Sequence, residues 1–323
     1  MSRRGSLLAA VALTVWLCLF LHWDTTEKSM VRALLAETTG DGWTVGLLYQ
    51  FPEASADSAE AEAAIRLCLG RGAELSTAIA AAEEALPQRA DWRLCEYLLT
   101  NPDTAQKILP ACEALYARQP YGRLASRMFG MAFSLDALNE KAQASETLPE
   151  ALLQCVKISA PSAPRLYEQG RGILLPVVEL NEDSAQCQPE ALVITAEHTG
   201  RLTAPQTEMA LLLQGRSRTT AGEYQFWKDG RAFRLRHPVC GVERKGEVFR
   251  LRVDALSREE LPAGAVQELE TLCAETVSYC WALGLDISGL GAMDGQRHGA
   301  LSLTTKNVCP AVQADVKIYR FGI

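Results

Sequence analysis

The chain has 323 residues, a net charge of −7 at neutral pH, and 48% hydrophobic against 22% charged residues. That composition builds buried cores on a length suited to two domains or three small ones, and it excludes wholesale disorder, collagen-like or mucin-like chains and polytopic membrane proteins. The acidic balance, with no Lys/Arg-rich run, also excludes a nucleic-acid binder, which needs a basic face for phosphates.

Arg3 and Arg4 precede seventeen uncharged positions, 5–21, rich in Leu, Val and Ala. As a helix this run spans about 25 Å, slightly short of a bilayer core, and Trp23 stands where an interfacial indole belongs. Large residues, Leu19-Phe20-Leu21-His22-Trp23, follow the apolar core where a signal peptidase needs small ones. Residues 1–22 are therefore expected to be an uncleaved signal anchor, with the rest of the chain outside the cytoplasm; a cleaved signal with a poor site is the alternative.

Two apolar runs, 30–35 and 43–51, flank Thr38-Thr39-Gly40-Asp41-Gly42 and predict a β-hairpin. After an acidic loop at 53–62 come a strand at 64–69, a Gly70-Arg71-Gly72 turn, a helix at 75–86 stopped by Pro87, and a strand at 92–99. Positions 103–167 have helical spacing broken by prolines. Strands first and helices after predict an α+β fold with mixed sheets and packed helices.

In the second half, 173–180 is apolar, 181–189 reads as a polar linker and 191–196 as a strand. Thr203 and Gln206 form a capping box that starts a helix at 204–213. Arginines alternate with apolar residues at 232–236 and 248–253, predicting two antiparallel strands with a solvated basic face. Ser257 to Glu260 reads as a second capping box, followed by an amphipathic helix through Val266, Leu269, Cys273, Val277 and Cys280 that ends at Gly284. A glycine-rich turn at 286–291 and a terminal strand at 312–320 complete the chain. The expected domains are the anchor at 1–22, one or two units at 23–184, and a C-terminal unit at 185–323.

No metal-ligand spacing, phosphate loop, nucleophile elbow or zinc-protease helix occurs, so no catalytic, cofactor or metal residue is assigned. His198 and His237 leave a Ser/His or Cys/His site arithmetically open, but strand-end and proline-adjacent positions favour surface histidines. Nine cysteines lie beyond the anchor at irregular spacing, and Cys273 and Cys280, seven apart on a helix, are too distant to bridge. Buried, reduced thiols are expected.

Laid out in this order, the motifs resemble the Ger(x)C family, the C subunit of nutrient germinant receptors of endospore formers. Trp23-Asp24-Thr25-Thr26-Glu27 is similar to the family's Cys-Trp-Asp-x-x-Glu start, with Trp23, Asp24 and Glu27 as the matching positions. Gly72 precedes a Ser/Thr-Leu helix start of the family type. A strand, a basic Gly-x-Leu and a leucine-rich helix carrying Glu208 form the third match. Asp286-Ile287-Ser288-Gly289-Leu290-Gly291 resembles the family's Asp-Ile-Phe-Gly-x-Gly, with Asp286, Gly289 and Gly291 in its fixed places, before a closing strand that ends near Gly322.

Two departures stand out. The lipobox cysteine is replaced by His22, and Cys18 follows the bulky Leu17, so lipidation is not expected and the retained helix takes its place. The tryptophan-containing stretch that commonly follows the Gly-x-Gly is absent. The resemblance implies a non-enzymatic, extracytoplasmic receptor subunit that assembles on the spore inner membrane with polytopic A and B subunits, with no nucleic-acid partner. A cell-envelope hydrolase and a solute-binding protein are the alternatives from other classes.

Overall fold

The computed structural model describes residues 13–14, 16, 28–40, 42–50, 64–118, 126–165, 172–298 and 303–321. Most of the expected anchor, the Trp23, Asp24 and Glu27 positions and the acidic stretch 53–62 lie outside them. Among the described residues no helix is long and apolar enough to cross a membrane.

The expected hairpin is present as β1 (Ser29–Thr39) and β2 (Gly42–Gln50), paired antiparallel from Met30↔Gln50 to Thr39↔Gly42. Gly40 takes φ +60 in the turn, a conformation that suits glycine. β3 (Ile65–Gly72) extends through the predicted Gly70–Gly72 turn before α1 (Leu75–Glu84) begins. The single strand predicted at 92–99 is two short ones, β4 (Ala90–Asp91) and β5 (Tyr97–Thr100), because Trp92 turns inward and its indole N–H donates to Glu83 Oε1 at 2.6 Å.

The helical stretch that follows contains α2 (Pro102–Arg118), α3 (Leu135–Ala144) and α4 (Leu148–Ser159), but also an unpredicted strand, β6 (Arg127–Met131). β7 (Ile173–Leu180) and β8 (Ala185–Ile194) form a hairpin, so most of the predicted linker at 181–189 belongs to a strand, and the 184/185 domain division falls in its turn. β9 (Thr199–Leu202) ends this half.

Among the described residues these nine strands make one sheet, ordered β3-β2-β1-β5-β6-β7-β8-β9 with β4 also beside β1. β1, β5, β6 and β7 run parallel, and antiparallel pairs flank them. Helices cover both faces: Leu34 and Ala36 of β1 pack with α1 and α2, while Ala33 and Leu35 pack with α3 and α4. Burial on both faces explains why these strands read as continuous apolar runs. The β5–α2–β6 and β6–α3–α4–β7 crossovers advance one strand in the same direction along opposite faces. They therefore have opposite hands, and one departs from the usual right-handed rule.

The C-terminal half adds α5 (Ala204–Leu213), α6 (Ala265–Ala282) and α7 (Leu290–His298) to a four-stranded sheet, β10-β11-β12-β13. Its strands are β10 (Glu223–Lys228), β11 (Arg231–Lys245), β12 (Val248–Ser257) and β13 (Ala311–Arg320), the last parallel to β12. α5 has the predicted capping box, with Gln206 N donating to Thr203 Oγ1 at 3.4 Å and Thr203 N to Gln206 Oε1 at 3.1 Å. The second predicted box does not form. Ser257 ends β12 and uses its hydroxyl in a local turn, accepting from Glu259 N at 3.2 Å, and α6 starts after Gly264 at φ +76. The path from residue 291 to the terminal strand also contains α7, which periodicity did not reveal.

Leu211 of α5 and Leu269, Val277 and Trp281 of α6 pack between Ala191 and Val193 of β8 and the inner face of the small sheet, Phe226, Phe233, Phe249, Leu251 and Val253. On the outer face Arg236 pairs with Glu223, Arg250 with Asp315 and Arg252 with Asp254. The alternating arginines are thus matched by acids, as a solvated sheet face requires.

At the end of β1, Glu37 is 6% exposed and accepts from the Leu135 N–H at 3.1 Å, while Ser134 Oγ accepts from Ala137 N at 3.2 Å. Two side chains therefore satisfy the first turn of α3. Burial pushes the Glu37 carboxyl above its ordinary 4.5, against the pull of the Leu135 N–H; Asp136 raises it and Arg71 lowers it. A raised carboxyl binds more protons folded than unfolded, so stability falls as pH rises from about 4.5 through the folded value. Glu37→Gln keeps the acceptor and removes this contribution. Urea midpoints measured from pH 4 to 7 are expected to fall less in the variant, and an unchanged slope contradicts the assignment.

Candidate functional site

Asp286, Gly289 and Gly291 line a single cleft of about 760 Å³, a volume typical of small-molecule sites. Three segments form it: the turn between β8 and β9 (195–198), the junction of α6 with α7, and the approach to β13 (303–306). Gly172, just before β7, closes one side.

Thr195 fixes the first wall. Its Oγ1 donates to the Leu283 carbonyl at 2.9 Å and accepts from His198 N at 3.0 Å, which ties the turn to the end of α6. Gly172 packs so closely here that a Cβ would stand 2.8 Å from Thr195 Cγ2. The helix ends where expected, since Gly284 takes φ +90 and donates to Trp281 O at 2.9 Å.

The second wall is built on Asp286. Its Oδ1 accepts from Leu290 N at 3.0 Å and its Oδ2 from Gly291 N at 2.9 Å, so the carboxylate caps α7. Gly289 takes φ +75, while a Cβ on Gly291 would stand 2.7 Å from the Leu303 carbonyl. One glycine serves the turn and the other a close backbone approach. The third wall is held by Trp281, whose indole N–H donates to Asn307 O at 2.9 Å.

The remaining motif residues lie elsewhere. Gly72 ends β3 against α1, where a Cβ would meet Thr77 Oγ1 at 2.3 Å and Ala78 N at 2.5 Å. Glu208 of α5 accepts from Arg218 Nε at 2.5 Å and from Gln225 N at 3.4 Å, and Arg218 also donates to the carbonyls of Gln188 and Pro189. This group ties α5 to β8 and β10. Burial raises the Glu208 carboxyl above its usual range, opposed by the Arg218 charge. Trp23, Asp24 and Glu27 fall outside the described residues.

Of the two histidines considered from sequence, His198 lines the cleft, whereas His237 sits at φ +47 on the irregularity of β11 between Arg236 and Val239. All nine described cysteines are free. Burial pushes the thiols of Cys68, Cys95, Cys112, Cys155, Cys273 and Cys280 up to about 12 and that of Cys240 to about 11. Such thiols are poor nucleophiles at neutral pH. Among the described residues no cluster of three or more His, Cys, Asp or Glu is placed to hold a metal ion.

Sequence reasoning missed Arg218, Glu197 and Lys306. Arg218 acts through backbone carbonyls distant in sequence, and Glu197 and Lys306 share the cleft only because the fold brings β9 to the α6–α7 junction.

Gly72→Ala and Gly291→Val are expected to lower stability by about 1–3 kcal/mol each through overpacking. Asp286→Ala is expected to cost about 1 kcal/mol by uncapping α7, and Asp286→Asn less, since an amide oxygen still accepts. Chemical denaturation of the four variants checks the order; an Asp286→Ala protein as stable as wild type removes the capping role.

No protein-family model matches the sequence. No curated protein matches it either. Among solved structures the chain is similar to the crystal structure of the GerBC protein, with 13% identity and a TM-score of 0.45, over 90% of this chain and 97% of that one. A likeness of that degree assigns neither family nor activity.

Proposed function

We propose that the chain is a non-enzymatic, extracytoplasmic subunit of a spore germinant receptor of the Ger(x)C type, assembling with two polytopic membrane subunits. The observation that carries this reading is the order of the motifs, read with the places their residues occupy. Gly72, Glu208, Asp286, Gly289 and Gly291 stand at joints of the fold, where a strand meets a helix, a helix meets two strands, or a loop meets a helix cap. That is the pattern of a scaffold whose shape is its activity. The raised thiols weigh against a cysteine hydrolase.

Under this proposal residues 1–22 remain as the membrane anchor. β1 begins at Ser29, seven positions after residue 22, a reach of at most about 25 Å. The sheet edge where β1, β5, β6 and β7 start then faces the bilayer. Gly172 and Thr195 of the cleft lie at that same edge, where β7 begins and β8 ends.

Affinity purification of the full chain from detergent-solubilised spore membranes is expected to bring down two polytopic subunits. A strain lacking the chain is expected to lose nutrient-triggered germination and regain it with the full-length gene. Normal germination in that strain, with no polytopic partner recovered, rejects the reading. Intact mass of the purified chain checks the anchor: residues 1–22 retained and Cys18 free of lipid.

A further inference from the structure

We infer that the cleft at the α6–α7 junction binds a small dipolar molecule, one that carries a cationic and an anionic group on a short scaffold. The inference is independent of the receptor reading and holds for any protein with this site.

Two observations carry it. Glu197 and Lys306 both line the cleft, yet no ion pair joins them and neither is held by another described residue. Opposite charges on one cavity, more than a salt-bridge length apart, are complementary to a ligand that spans them. The second observation is how the other carboxylate of the cleft is already engaged. The Asp286 carboxylate is used up on Leu290 N and Gly291 N, and the same contacts close the first turn of α7 to an incoming anion.

Recognition of a cation is therefore left to Glu197, and of an anion to Lys306. The two lie toward opposite walls. The Glu197 turn is bonded to the C-terminal end of α6 through Thr195 and Leu283, and carbonyls at a helix C-terminus favour positive charge. Lys306 follows Leu303, whose carbonyl abuts Gly291 at the N-terminal end of α7. Gly289 leaves open space beside it, with nothing within 4 Å of where its Cβ would stand, and Gly291 lets the backbone of the two walls approach. The cleft offers a negative wall, a small-residue floor and a positive wall, which sets the ligand class without fixing the scaffold.

The test uses the full chain, 15N-labelled, titrated with β-alanine, 4-aminobutyrate and 6-aminohexanoate, with hexylamine and hexanoate as singly charged controls. The indole N–H of Trp281, assigned with Trp281→Phe, reports on the cleft. At least one dipolar probe is expected to shift it saturably, with the singly charged controls at least tenfold weaker. Glu197→Gln and Lys306→Gln, both at exposed positions that leave the fold intact, are each expected to weaken the binding at least tenfold. Equal binding of a singly charged control, no response to any dipolar probe, or variants that bind like wild type each overturn the inference.

Discussion

One strand segment joins the core of the large sheet to the core of the C-terminal half, and the rest of the molecule is arranged around that fact. Along β8, Leu192 and Ile194 point into the core shared with α1 and α2, while Ala191 and Val193 between them point into the core built by α5, α6 and the small sheet. A strand alternates its side chains by geometry, so four consecutive apolar residues can serve two cores only if both cores are present. The two halves of the chain are therefore welded through β7 and β8.

The polar ties follow the same seam. Arg218 reaches from the loop before β10 to the carbonyls of Gln188 and Pro189 on β8, with Glu208 holding it in place. Thr195, at the end of the same strand, binds the Leu283 carbonyl at the end of α6. The cleft opens where this seam runs out of side chains, since Gly172, Gly284, Gly289 and Gly291 line it: Gly291 lies close to the Leu303 carbonyl, and nothing stands within 4 Å of where a Cβ on Gly289 would be. Rigidity and cavity have a common origin: a joint stiff enough to hold three segments apart.

What the sequence made legible was local. The capping box at Thr203 and Gln206, the hairpin at Gly40 and the helix stop at Gly284 each depend on contacts within a few residues, and each appears in the structure. The Ser257 box failed because the same Ser-x-x-Glu spacing also suits a hydroxyl that folds onto its own backbone at a strand end, which competes with helix initiation. β6 escaped because a five-residue parallel strand, Arg127–Met131, whose last four residues are buried, carries no alternation to distinguish it from a helix. The segment 286–291 reads as a glycine-rich turn, and Asp286 does fold onto backbone N–H groups there, but the helix those groups begin carries no local signal. The presence of Glu197 and Lys306 on one cleft depends on the register of β8 with β9 and the course of α6, which no local pattern encodes.

The parallel pairing of β12 with β13 bears on how the protein is made. Fifty-three residues separate Ser257 from Ala311, so β12 is synthesised well before β13, the strand it pairs with. Until it docks, the inner side chains of β12, Phe249, Leu251 and Val253, lack the partner strand that brings Val316 against them. Such non-local closure is slow compared with forming a hairpin. The two strands of the β1–β2 hairpin are neighbours in the chain, whereas the C-terminal core stays open until β13 has been made. Loss of β13 would leave that core with β12 as an exposed edge, a template for pairing with another chain.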